Sequence, residues 1–86
     1  MPKKSLQKYG LTSADRNAEI ERRFGIEAMV PINALLATIN APTEEILGAI
    51  VFCARGPQDI PELVCLANED PNRLLNIATV KQERGG

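Results

Sequence analysis

Two cysteines and three pairs of neighbouring carboxylates are the side chains in this sequence that could carry chemistry. Cys53 and Cys65 lie twelve positions apart, each in an apolar run. A tetrahedral zinc site would need two further thiolates or imidazoles. The chain has no histidine and no third cysteine, so the spacing makes no metal site. The missing histidine also removes the commonest general acid and base. The carboxylate pairs are Glu44/Glu45, Asp59/Glu62 and Glu69/Asp70. Acid–base work by two carboxyls needs environments that split their pKa values. These pairs fall instead where helix starts are expected, and acidic groups there complement the helix dipole. No glycine-rich loop follows a strand to cradle a phosphate. The expectation is a protein that is not an enzyme, with no catalytic residue, no cofactor, no metal and no evident small-molecule substrate.

Charge leaves two function classes open. Net charge is −1 over 86 residues, so the whole molecule has no strong field. The distribution is uneven. Residues 1–25 carry six basic groups, Lys3, Lys4, Lys8, Arg16, Arg22 and Arg23, against three acidic ones, a net of +3. Residues 26–86 carry four basic and eight acidic groups, a net of −4. A basic N-terminal quarter of this kind could contact phosphates of a nucleic acid. Against that reading, Asp15, Glu19 and Glu21 share the same segment. The one candidate helix-turn-helix corner, Arg55-Gly56-Pro57-Gln58, leads into an acidic helix start. Aromatic residues for base stacking are few: Tyr9, Phe24 and Phe52.

The elements that would position any site read as helices. Apolar residues make up 44% of the chain, nearly all of them aliphatic, which suits helix–helix packing. Residues 1–12 form a basic arm without periodicity, and residues 13–86 a single helical domain. Thr12 or Ser13 offers an N-cap for a helix over Ser13–Phe24, with Glu19 and Arg23 as an i,i+4 pair. Gly25 closes it, with Ile26 as the apolar follower of a Schellman motif. Pro31 suits the first turn of a second helix, whose stripe is Ile32, Leu35, Leu36 and Ile39. Thr43, Glu44 and Glu45 open a third helix, apolar on nearly every side to Ala54 and therefore central. Arg55 and Gly56 close it. Asp59 and Glu62 have capping-box spacing before a stripe of Ile60, Leu63, Val64 and Ala67. Asp70-Pro71 restarts the chain, and Leu74, Ile77 and Ala78 share the inward face of a last helix. The β-branched runs at Ile50-Val51-Phe52 and at 77–80 could alternatively form strands. The fold expected is all-α, a compact bundle of four to five short helices with a basic N-terminal arm.

Surplus apolar surface then points to function. Leu63, Leu66, Leu75 and Val80 crowd the last two helices beyond what a small bundle can face inward, and Met29 and Val30 fall in a connection. Contiguous exposed apolar surface marks an interface. The expected role is a small protein-interaction module, an adaptor, regulator or inhibitor, binding a protein partner or itself as a homodimer through an aliphatic helix face on residues 60–80. The alternative is a nucleic-acid-binding regulator using Lys3, Lys4, Lys8, Arg16, Arg22 and Arg23. Met-Pro-Lys-Lys leads into polar sequence, and no apolar run is long enough to span a bilayer. The expected setting is cytoplasmic, without membrane contact, with both cysteines reduced in the core.

Overall fold

A computed structural model of the chain describes residues 13–84. The expected basic arm, residues 1–12 with Lys3, Lys4 and Lys8, lies outside them. Five α-helices follow in order: α1 (Ser13–Phe24), α2 (Ile26–Leu36), α3 (Glu44–Cys53), α4 (Ile60–Glu69) and α5 (Pro71–Glu83), with a 3-10 turn at Pro57–Asp59 before α4. The fold is all-α. Among the described residues no strand forms, and both β-branched runs are helical.

Helix α3 is the axis of the assembly. Thr43 caps its start, the hydroxyl accepting from the backbone N–H of Ile46 at 3.1 Å. Glu44 and Glu45 occupy its first turn. Ile46, Gly48, Ala49, Ile50 and Val51 are buried on different sides of it. It packs against α1, α4 and α5, while α2 lies on α1 and α4, and α4 on α5. The core is aliphatic throughout. Ile20 from α1, Ile50 and Val51 from α3, Ile60 from α4 and Leu74 from α5 are its largest fully buried side chains. Full burial of such a side chain stabilises by roughly 1.5–3 kcal/mol. Among the described residues no polar or charged residue is buried as a whole.

Two joints consist of a single residue. Asp70 separates α4 from α5. The ring of Pro71 disfavours helical backbone in the residue before it, and Asp70 has φ −152° and ψ 76°. Its N–H donates to the Leu66 carbonyl at 2.7 Å, ending α4. Its carboxylate accepts from the N–H of Arg73 at 3.2 Å, starting α5. Gly25 does the same between α1 and α2. Its N–H donates to the Glu21 carbonyl and its carbonyl accepts from the Ala28 N–H, both at 3.0 Å.

Four sequence expectations are corrected. Gly25 shows the single bond back to Glu21, not a Schellman pair, because its φ of 94° and ψ of 152° turn Ile26 at once into the next helix. Helix α2 therefore begins at Ile26, and Pro31 is internal to it; Met29 and Val30 are helical, not a connection. Proline is tolerated there because it removes one hydrogen bond, that to the carbonyl of exposed Glu27. The Asp59–Glu62 capping box does not form. The 3-10 turn gives Asp59 helical backbone, and its carboxylate accepts from the Arg55 N–H at 2.9 Å. On α5, Leu74 and Ala78 are buried but Ile77 is 43% exposed, because the buried arc is narrower than the assumed stripe.

Gly25 yields a test. Its dihedrals lie where only glycine is at ease, yet a Cβ there would meet no atom within 4 Å. Gly25→Ala is expected to destabilise by about 1–3 kcal/mol through backbone strain alone. Urea unfolding should show a lower midpoint with an unchanged slope.

Candidate functional site

The residues singled out from the sequence divide by where the helices place them. Of the basic set, Arg16 and Arg23 turn inward. Both lie on α1, two turns apart, and both reach α3. The Arg16 guanidinium donates to Glu44 Oε1 at 3.0 Å at the start of α3, with only 12% of its side chain exposed. Its Nε is buried without a hydrogen-bond partner, as is Oδ1 of Asn17. The Arg23 guanidinium donates to the carbonyls of Val51, at 2.8 Å, and Ala54 at the end of α3. That helix has no basic residue of its own in its last turn. Arg23 therefore supplies the positive charge and donors that the C-terminal carbonyls require. It also lies 5.2 Å from the centroid of the Phe24 ring. Arg22 is outward, 71% exposed, and paired with Glu19. Glu19 also stands 3.7 Å from Arg23. Two of the three described arginines in the proposed nucleic-acid set thus reach across to another helix, and the third pairs with a glutamate on its own helix.

The predicted interface residues also divide. Leu63, Leu66 and Leu75 are half-buried and pack against the core. Val80 is 52% exposed. The aliphatic surface that the structure does expose is larger elsewhere: Ile26 is 63% and Val30 77% exposed. Ile26, Val30 and Ala34 follow at i, i+4, i+8 on the outer face of α2, beside exposed Glu27. Along α5, exposed Arg73, Ile77 and Val80 and the C-cap residue Arg84 follow at i, i+4, i+7, i+11, forming one stripe. Lys81 borders it, its ammonium 5.7 Å from the centroid of the Phe52 ring on α3. The α2 pair lies beside acidic Glu27, while the α5 pair is bordered by both signs: Arg73, Lys81 and Arg84, but also exposed Asp70, seven positions before Ile77, and exposed Glu83, three positions after Val80. Sequence reasoning missed Ile26 and Val30 because it put a connection there, and Ile77 because it set that residue inward. The signal for α5 was present as the seven-residue repeat of apolar and basic positions from Arg73 to Arg84.

Both cysteines are free thiols. Cys65 is exposed, correcting the expectation of a core thiol, because it lies on the outer side of α4, opposite buried Ile60, Val64 and Ala67. Cys53 lines a surface hollow of about 360 Å³ with Arg55, Gln58, Asp59, Glu62 and Leu63. Burial pushes the Cys53 thiol up, and the Lys81 charge only partly offsets that. The group stays protonated at neutral pH, and a protonated thiol is a poor nucleophile and metal ligand. Among the described residues no group of three or more Cys, Asp or Glu side chains could hold a metal ion. Among the described residues no helix is long and apolar enough to cross a membrane. Comparison with protein-family models, with curated proteins and with solved structures finds no match for the chain.

The two adjacent arginines have opposite expected sensitivities. Arg23→Met removes the donors to two carbonyls at a helix end and should cost about 1–3 kcal/mol. Arg22→Met removes an exposed ion pair and should change stability by less than about 0.5 kcal/mol. Equilibrium urea unfolding of both variants checks the contrast.

Proposed function

We propose that this chain is a small non-enzymatic interaction module, an adaptor, regulator or inhibitor, that binds protein through exposed aliphatic helix faces. The observation that carries the reading is the pairing of exposed branched aliphatics at helical spacing, Ile77 with Val80 on α5 and Ile26 with Val30 on α2. Scattered exposed apolar residues are ordinary on protein surfaces. Neighbouring pairs bordered by charge have the composition of interface centres with polar rims. Leu75 lies on the inner side of α5 and supports the face from behind; Leu63 and Leu66 do the same on α4. The unpaired thiols support a reducing, cytoplasmic setting.

The engagement of Arg16 and Arg23 with another helix leaves the exposed Arg22, itself paired with Glu19, and the lysines of residues 1–12 for the nucleic-acid alternative. Affinity capture from the native host, read out for both protein and nucleic acid, separates the two. A protein retained by the wild type should be lost from Val80→Asp, with helicity and melting midpoint unchanged, and should rebind when purified. The reading is overturned if Val80→Asp captures the same proteins. It is equally overturned if the only retained species is nucleic acid released by moderate salt.

A further inference from the structure

The joint between α1 and α2 is a single residue, Gly25, and its φ of 94° with ψ of 152° belongs to glycine. A Cβ there would meet no atom within 4 Å, so the dihedral is the whole obstacle to a side chain. The same stretch of chain also fits one unbroken helix. With residue 25 helical, the N–H groups of Ile26, Glu27 and Ala28 would donate to the carbonyls of Arg22, Arg23 and Phe24, the ordinary i−4 partners. In the closed chain the Ala28 N–H donates to the Gly25 carbonyl instead. No proline stands between residues 13 and 30, and α2 already accommodates Pro31. At about 100° per residue, Ile20, Phe24, Ala28, Ile32 and Leu35 would fall within about a third of the circumference of a helix continuous over residues 13–36. All five are buried or half-buried in the core. Glu21 and Pro31 share that arc and are exposed in the closed chain as well. The apolar stripe of α1 therefore runs into that of α2 without a break in phase.

Straightening the joint carries α1 off its own α3 and opens the groove that α1 fills. That groove is specific for α1. It buries Ile20, offers Glu44 to Arg16, and offers the carbonyls of Val51 and Ala54 to Arg23. We propose that Gly25 is a hinge at which two copies of this chain exchange α1, each copy's α1 docking on the α3 of the other. The contacts of the exchanged dimer are those of the closed monomer apart from the joint. The two forms therefore differ by the joint and by the entropy of association. Exchange is reciprocal, so the dimer is two-fold and closes on itself. Glycine holds the tight turn without strain, which keeps the closed monomer predominant in dilute solution. The exchanged dimer gains with concentration, and with any side chain at position 25.

Gly25→Ala tests the hinge. It should dimerise at least about a hundredfold more tightly than the wild type, about tenfold from each of the two joints relieved. Dilution should return it to the strained monomer. Sedimentation velocity reads the association. Spin labels at exposed Ala14→Cys and Ala37→Cys read the joint, in a chain with Cys53→Ser and Cys65→Ser that is diluted into unlabelled chain. In the dimer the two labels should stand about 35 Å apart, at 1.5 Å per helical residue. In the monomer they should be far closer, because α2 packs back on α1. Two further glycines inserted after Gly25 free the turn and should abolish the dimer. A folded Gly25→Ala that stays monomeric at high concentration overturns the proposal. So does a dimer with the short label distance, or an equally tight dimer in the glycine-insertion variant. If Gly25→Ala does not fold, the wild type refolded from urea at high concentration decides. A dimer with the long distance then supports the exchange, and monomer alone overturns it.

Discussion

The arrangement depends most on the grip of α1 on both ends of α3. Arg16 and Arg23 are seven residues apart, two turns of helix, so their side chains leave α1 on one side. Their partners Glu44 and Val51 are also seven apart. Each contact spans 28 positions of chain, so the two helices must run side by side in the same direction and in one register. The two grips are unlike in energy. Glu44 sits at a helix start, where the dipole already favours its charge, and it is 41% exposed. The Arg16 pair is thus assisted but not indispensable. The carbonyls of Val51 and Ala54 end a helix without a basic residue in its last turn, and α3 is the helix on which α1, α4 and α5 pack. Arg23 satisfies what the local sequence leaves open.

Once α1 and α3 are parallel, the remaining helices follow from their joints. Gly25 reverses the chain in one residue, so α2 must return along α1. Asp70 does the same between α4 and α5. The long connection between α2 and α3 is held by Ile39, buried although it lies past the end of α2, and by the Asn40 N–H donating to the side chain of Asn68 at 2.8 Å. That last bond ties the end of α4 to the approach to α3. Helix α3 therefore meets α4 running the opposite way and α5 running its own way, as the Lys81–Phe52 contact near both C-termini confirms.

Local punctuation was legible in the sequence and long-range chemistry was not. The end of α1 follows from a glycine, the start of α3 from Thr43 with two glutamates, and the start of α5 from Asp70-Pro71. Each of those signals acts within four residues of the structure it sets. The errors arose where two local signals competed. Pro31 fits a helix start by its dihedral, but Gly25 had already started the helix five residues earlier. Asp59 has the right spacing for a cap, but Pro57 winds the backbone into a 3-10 turn before it. For the site, the arginines read as one basic set because sequence shows their charge and not their reach. That Arg16 and Arg23 cross to another helix while Arg22 stays outside depends on contacts 28 and 31 residues distant. Ile77 was misassigned for a related reason: the width of a buried arc is set by the neighbouring helices, and periodicity carries no measure of it.

The buried alanines explain why aliphatic side chains remain outside. Ala49, Ala54, Ala67 and Ala78 are all fully or almost fully buried. Small residues at these places let helix axes approach closely, which narrows the arc that each outer helix can bury. On α5 that arc holds Leu74 and Ala78, and on α2 it holds Ile32 and Leu36. Residues a third of a turn further round face solvent whatever their chemistry. Polar residues there would leave the core unchanged, so folding alone does not call for Ile26, Val30, Ile77 and Val80. A β-branched residue on an exposed helix face is in fact slightly worse for the helix than alanine or lysine. The stability of the domain gives no reason for these four positions; the interaction proposed for them does.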